Sequence, residues 1–412
     1  MKPAGKSIAV AFENVPRLST GATRRYRPLV FRRAAARRTP AFDHLRAFVI
    51  GLVVWHHAMM AYCGGGEVAT GGAFMDSSAP IVDPAQWSGF NQLVLLNDSF
   101  FMPLMFLLSG LFVRPSLARK GLPTYLGART RRLGVPLLAG VTVIIPLAYY
   151  ASYLQAGGTS GFGTFWLHMV TRGPWPSGPM WFVGVLLVFD TIAASLLATR
   201  ETKPARKHRP WISGGGLLLA LVILSALVYL PAVAAFGEAD WLNAGPFAVQ
   251  TSRIGLYALY FAVGVIVGAD RMASAFRSHW LRWPLLMAAM IGAFFAIHDP
   301  QLFDADAMPK ASHDLLMGAF MLLFSAAMAA GLLTLALHLG DKRSVIGESL
   351  GANAYGIYLL HYPIVLWLQY ELLKLQQLDA IQKGVLVLVV GFGLSWLVSS
   401  ALRQLPGVRC YV

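Results

Sequence analysis

The chain has 412 residues, of which 56% are hydrophobic and only 13% charged. Its mean hydropathy is +0.57, whereas a soluble domain has a charged share of about 25%. The formal charge of +15 raises the prospect of nucleic acid, yet ten of the 34 Lys and Arg crowd before Asp43 without interleaved aromatics or a recognisable binding fold. A basic tail lying on anionic lipid accounts for them, and no nucleic-acid partner is expected.

The first long apolar run begins near Phe48 after polar and basic residues, with no convincing cleavage site, so no signal peptide is expected. A helix crosses the hydrocarbon with about twenty apolar residues. Candidate spans fall near 44–62, 91–113, 133–152, 180–198, 212–236, 247–270, 281–297, 312–339, 347–371 and 383–402. The expected fold is all-α, a polytopic membrane protein of about ten helices with both termini cytoplasmic. Residues 1–43 form a basic tail expected to be disordered, 44–402 the membrane domain, and 403–412 a short cytoplasmic tail.

Loop charge supplies an independent check. Segments placed inside hold 28 Lys or Arg; those placed outside hold only Arg172, Lys310, Lys374 and Lys383. The excess recurs at every turn, as the positive-inside rule requires, and a miscounted helix would invert it downstream. The two cysteines, Cys63 and Cys410, fall on opposite sides, which excludes a disulfide between them and leaves no thiolate metal site. The outer stretch 63–90 is Gly-rich, with Glu67, Asp76 and Asp83, and reads as a loop at the mouth of a site or as a plain flexible connection.

Ionisable side chains inside spans are costly and usually face a cavity or one another. The first helix carries Asp43 and Arg46 at its cytoplasmic end and His56 and His57 deeper. Arg46 and His57 are eleven residues apart; at 100° per residue that is about three turns, so they share a face roughly 16 Å apart along the axis. Taken alone, Arg46 also reads as a snorkelling anchor and His57 as a hydrogen-bonded core histidine. In the second helix Asp98 falls at a depth similar to that of His57, suiting it to fix the tautomer of a general base, or to bond locally near its helix start. Ser109 follows within Phe106-Leu107-Leu108-Ser109-Gly110. Arg129 and Arg132, spaced i, i+3 before Pro136, face one way. With Arg46 and Ser109 they form a candidate cradle for a phosphorylated ligand, their plainer role being positive-inside anchoring. Trp181 opens the fourth span, where an interfacial belt residue is common. Tyr358 and His361 are i, i+3 in the ninth, among small residues that permit close helix contact.

Taken in order, these segments resemble the acyltransferase-3 family of membrane proteins. The likeness rests on Arg46 and His57 separated by ten residues, on Phe106–Gly110, on Arg129 and Arg132 before Pro136, on Trp181-Phe182, and on Tyr358-Leu359-Leu360-His361-Tyr362-Pro363. Leu96-Asn97-Asp98 before Met102-Pro103 is most like members that modify glucan, although Phe100 and Phe101 stand where a polar and basic pair is expected. The resemblance implies an acyltransferase that takes an acyl group from cytoplasmic acyl-CoA, its donor substrate, and delivers it to an extracytoplasmic carbohydrate hydroxyl. It implies a bacterial cytoplasmic (inner) membrane location, with no bound cofactor and no metal. It gives Arg46 and His57 essential roles, with Ser109, Arg129 and Arg132 at the donor site. Asp43, Trp181, Tyr358 and His361 are further candidates for substrate contact. A proton-coupled transporter of a polar solute is the competing class, since buried His, Arg and Asp also build proton pathways.

Overall fold

Pro40, whose fixed φ and missing N–H suit a first helical position, begins α1 (Pro40–Met60). The computed structural model describes residues 40–411 apart from 69–74, 76, 78, 174, 200–212, 239, 245–246, 279, 304–307 and 341–343. The expected basic tail therefore lies almost wholly outside the described residues.

After the loop that follows α1, α2 (Gly89–Asp98), α3 (Phe101–Gly110) and α4 (Val113–Lys120) form an interrupted rod. The next rod runs through α5 (Leu122–Arg129), α6 (Val135–Ala139) and α7 (Ile145–Gln155). Two π turns, Thr130–Gly134 and Gly140–Ile144, interrupt it. In each, an N–H reaches back five residues, Val135 to Thr130 and Ile145 to Gly140. Pro136 and Pro146 follow at once; neither can donate to the ladder, so the local widening stands beside a donor that is already missing. Then come α8 (Phe162–Arg172), α9 (Trp181–Ala198) and α10 (Gly214–Phe236). The antiparallel hairpin β1 (Trp241–Ala244) and β2 (Phe247–Gln250) sets Trp241 opposite Gln250. Helices α11 (Ile254–Val267) and α12 (Ala269–Arg277) meet at a 91° bend, where Gly268 takes φ +74°, a conformation open to glycine. The chain closes with α13 (Arg282–Ile297), α14 (Lys310–Leu339), α15 (Val345–Leu372) and α16 (Ala380–Leu402). The last two start on side-chain caps, Ser344 accepting from Gly347 N and Asp379 closing a capping box with Gln382.

Helices lie within the expected segments, although in 247–270 the first residues, Phe247–Gln250, are strand β2 and α11 begins only at Ile254. Among the described residues six are long and apolar enough to cross a membrane, or seven if the bent α11–α12 pair counts as one span. The chain is thus an all-α, polytopic membrane protein. Leu227, Val389, Leu397 and Leu196 are more than 60% exposed, as outward apolar side chains of a bilayer-embedded bundle are. Helices α1 and α15 are long but fall short of that apolar measure, because they carry the polar residues of the interior.

Helices α1 and α15 run parallel, side by side. Asp43 and His44 lie against Gly351 and Gly347. Further along both helices, Gln369 donates to the carbonyls of His57, at 2.8 Å, and Ala58, at 3.2 Å. Where α3 crosses α11, a Cβ on Gly110 would stand 2.2 Å from Phe261 O, and one on Gly264 2.3 Å from Leu107 O. Only glycine admits that approach.

The loop between α1 and α2 is held at its described ends. Asn91 and Gly64 exchange two hydrogen bonds, of 2.7 and 2.9 Å. The Gln155 side chain pairs with both backbone groups of Val82. Lys383 Nζ donates to both oxygens of Asp83 at 2.8 and 2.7 Å, the two side chains being 2% and 1% exposed.

Candidate active site

Unbroken α1 carries both ends of the site. At its start Arg46 Nη1 lies 3.1 Å from Asp43 Oδ1 and its guanidinium stacks 5.4 Å from the Phe112 ring. Arg129 and Arg132 are close enough for their charges to act on Arg46. Arg129 Nε lies 3.1 Å from Asp190 Oδ2 and donates to the Tyr125 hydroxyl at 3.0 Å, while that hydroxyl donates to Asp190 Oδ1 at 2.8 Å. Arg132, inside the first π turn, lies over the Tyr355 ring at 5.6 Å, and the Tyr355 hydroxyl donates to Arg132 O at 2.8 Å. Three guanidiniums against the carboxylates of Asp43 and Asp190 leave one net positive charge (3 − 2).

Further along α1, His57 meets α15. Its Nδ1 is 2.9 Å from Val53 O and 3.3 Å from His361 Nε2, and His361 Nδ1 is 2.6 Å from Tyr358 O. Carbonyls only accept, so both imidazoles carry their proton on Nδ1. The His57 N–H then points between Val53 O and the His361 Nε2 lone pair, and His57 keeps its own lone pair on Nε2. Tyr362 packs its ring edge-on against His57 at 5.1 Å. Tyr358 in turn donates to Pro179 O. That contact ties the His361 helix to the segment opening α9, where Phe182 lies 5.9 Å from the Tyr358 ring. Trp181 joins Phe106 and Tyr257 in the same aromatic group, at 6.4 and 5.7 Å.

The partner of His57 is thus an imidazole, where the sequence suggested the Asp98 carboxylate. Asp98 instead bonds Arg253 Nη1 at 2.6 Å. An intramembrane guanidinium draws a carboxylate of similar depth more strongly than a neutral ring does. Asp98 and Arg253 both act electrostatically on His56, which points about 100° away from His57 around the helix. Arg253 was the residue missed: besides Arg46 it is the other Lys or Arg placed inside a span, and an outer-depth cation requires an anion.

Ser109 donates to Met105 O at 2.8 Å, a bond within its own helix, beside the Gly110 crossing. A cavity of about 510 Å³ opens away from the Arg46–His57 face, with Arg253, Glu238, His298 and His313 in its wall.

A family model described as an acyltransferase domain, acyltransferase-3, matches residues 39–402. None of the curated proteins compared matches the chain.

Proposed function

The chain belongs to the acyltransferase-3 family and is a multi-pass membrane acyltransferase, and from that premise we propose that it moves an acyl group from cytoplasmic acyl-CoA to a hydroxyl of an extracytoplasmic carbohydrate, in a bacterial inner membrane. One observation carries the reading. A single unbroken helix holds a cationic group, Arg46 near Arg129 and Arg132, about three turns from an imidazole whose tautomer leaves Nε2 as an acceptor. The phosphates of the donor suit the guanidinium end, since planar forks match phosphate oxygens. The pantetheine arm then extends along the face of α1 that Arg46 and His57 share. The charged carrier stays on the inner side, and only the acyl group passes to the other.

In the direct route, His57 Nε2 takes the proton of the sugar hydroxyl and the oxygen attacks the thioester carbonyl. The C–S bond breaks, and the thiolate leaves with the proton that His57 gives back. In the covalent route, Nε2 attacks the thioester carbonyl, the C–S bond breaks and the CoA thiolate leaves; the sugar oxygen then attacks the acyl-imidazole, the C–N bond breaks to return the neutral ring, and the hydroxyl proton passes to the thiolate. Both use the lone pair that the Val53 and His361 contacts leave in place. Tyr358 and His361 hold the geometry of His57, and Trp181 supports the wall beside Tyr358.

The test uses the full chain in nanodiscs. His57→Ala abolishes acyl transfer from labelled acyl-CoA while the variant elutes and melts like the parent; undiminished transfer removes His57 from the chemistry. Arg46→Ala raises the KM for acyl-CoA. Trapping an acyl-imidazole in the absence of acceptor selects the covalent route. Mass analysis of surface glycans with and without the protein identifies the acceptor.

A further inference from the structure

The 510 Å³ cavity lies in the range of about 300–1,000 Å³ typical of small-molecule sites. Most of its wall is apolar, and two helices give it one face each. Helix α14 presents His313, Met317 and Phe320, spaced i, i+4 and i+7, and α13 presents Phe294 and Ile297, spaced i and i+3. Their neighbours Phe295, Leu315 and Leu316 are exposed, as is Leu302 in the connection between the two helices. Such side chains meet lipid in a membrane-embedded bundle, so the cavity sits beside surface that faces the bilayer.

The polar part of the wall is short of donors. Arg253 Nη1 donates to Asp98 Oδ2 at 2.6 Å, and Lys310 Nζ, at the start of α14, donates to Asp314 Oδ2 at 2.9 Å. The charges of Arg253 and Lys310 reach Glu238, yet each is paired with another carboxylate. Burial pushes the Glu238 carboxyl above the usual carboxylate range, a cost that a cation seated beside it relieves. His298 Nδ1 is 2.8 Å from Phe294 O. A carbonyl only accepts, so that nitrogen holds the ring's proton and Nε2 is left as an acceptor.

The charges select among ligands. Asp98, Glu238 and Asp314 against Arg253 and Lys310 leave one net negative charge (2 − 3), which disfavours an anion in the cavity. Two acceptors, the Glu238 carboxylate and His298 Nε2, call for N–H groups, and a primary ammonium brings donors and no acceptor. Phe303 and Phe320, both half-buried, line the same space, and aromatic faces attract an ammonium. A small hydrated cation leaves the apolar share of the wall in water. An amphiphile with an ammonium at one end covers both kinds of surface, and the adjoining bilayer supplies one.

We propose that this cavity binds the primary ammonium head of a membrane phospholipid, its N–H groups on Glu238 and His298 Nε2 and its apolar part along Met317, Phe303 and Phe320. The phosphate of the same head stays at the mouth, toward Lys310, whose side chain is 89% exposed. A lipid held in this way joins α13 and α14 to the end of α2 and the start of α11, which share the wall. The site stands apart from α1 and α15 and does not depend on the acyl-transfer reading.

The experiment reads occupancy and needs no turnover. In the full chain with Cys63→Ser and Cys410→Ser, Met317→Cys places one thiol in the cavity wall, and its maleimide labelling is followed in nanodiscs. Phe303→Cys takes its place if that variant fails to fold. The discs are phosphatidylcholine alone, or phosphatidylcholine with rising shares of phosphatidylethanolamine or of phosphatidylglycerol. Phosphatidylethanolamine is expected to slow labelling severalfold relative to the other two. Glu238→Gln is expected to raise the share needed for half protection by about tenfold, the loss of one hydrogen bond to a charged partner. If Glu238→Gln fails to fold, His298→Leu, which removes the other acceptor, is expected to act in the same direction. Equal labelling in all three kinds of disc, strongest protection by phosphatidylglycerol, or protection unchanged by these substitutions overturns the proposal. Equal protection by free ethanolamine in phosphatidylcholine discs overturns the lipid as the source. Protection by phosphatidylethanolamine in a chain that leaves acyl-CoA untouched supports the lipid site while the transfer reading falls.

Discussion

His361 presents Nε2 to His57 Nδ1 at 3.3 Å across the seam between α15 and α1, and its own Nδ1 is anchored on Tyr358 O at 2.6 Å. On the proposed mechanism the contact makes His361 a positioning residue for the His57 ring. Removing a group that orients a reacting side chain lowers activity by about 10–100-fold. His361→Ala is therefore expected to lower kcat by that factor with little change in the KM for acyl-CoA. His361→Asn, whose amide oxygen can accept from His57 Nδ1, restores part of it. A kcat unchanged in the alanine variant, or a loss confined to thermal stability, contradicts the role.

The buried pair of Lys383 and Asp83 has a different signature. Breaking such a pair on one side leaves an uncompensated buried charge, at a cost of about 3–5 kcal/mol. Asp83→Leu alone is expected to lower the melting temperature of the detergent-solubilised protein markedly, and the double change Asp83→Leu with Lys383→Met to recover most of it. A double variant as unstable as the single one refutes this account.

The crossing of α3 and α11 sets a steric limit. Gly264→Ala puts a methyl group 2.3 Å from Leu107 O, and overpacking of this kind costs about 1–3 kcal/mol. Gly127→Ala meets nothing within 4 Å and removes a helix-interior glycine, worth up to about 1 kcal/mol in the opposite direction. Paired thermal unfolding of the two variants should move in opposite senses.

Burial pushes the Cys63 thiol from 9.0 up to about 11. The thiol form is favoured, so below pH 9 its thiolate fraction is lower than that of an ordinary thiol by about a hundredfold. Its alkylation rate is expected to climb tenfold per pH unit up to about pH 11, whereas a free peptide thiol levels off near pH 9. Levelling off at pH 9 in the folded protein rules the shift out.

The helical segments were legible in the sequence because a span needs a long apolar run, and composition alone supplies that. Arg46 and His57 were legible for a similar reason: they lie on one helix, where periodicity fixes the face. The partners of His57 and Asp98 were not, because each lies on a helix far away in the chain, 304 and 155 residues off. Which helices touch depends on packing at residues such as Gly110 and Gly264, and periodicity within one segment says nothing of its neighbours. Asp98 and Arg253 came nearest to being found, as opposite charges of similar depth.

The parallel pairing of α1 with α15 has a bearing on how the protein is made. A ribosome adds about 5–20 residues per second, so the 304 residues that separate His57 from His361 take roughly 15–60 s to emerge. Throughout that interval the opening helix waits in the membrane without its neighbour, carrying two histidines and an Arg–Asp pair that lipid does not welcome. Completion of the His57–His361 contact is thereby deferred until α15 has emerged, and a nascent chain stalled before α15 holds the His57 imidazole without the ring it meets in the folded protein.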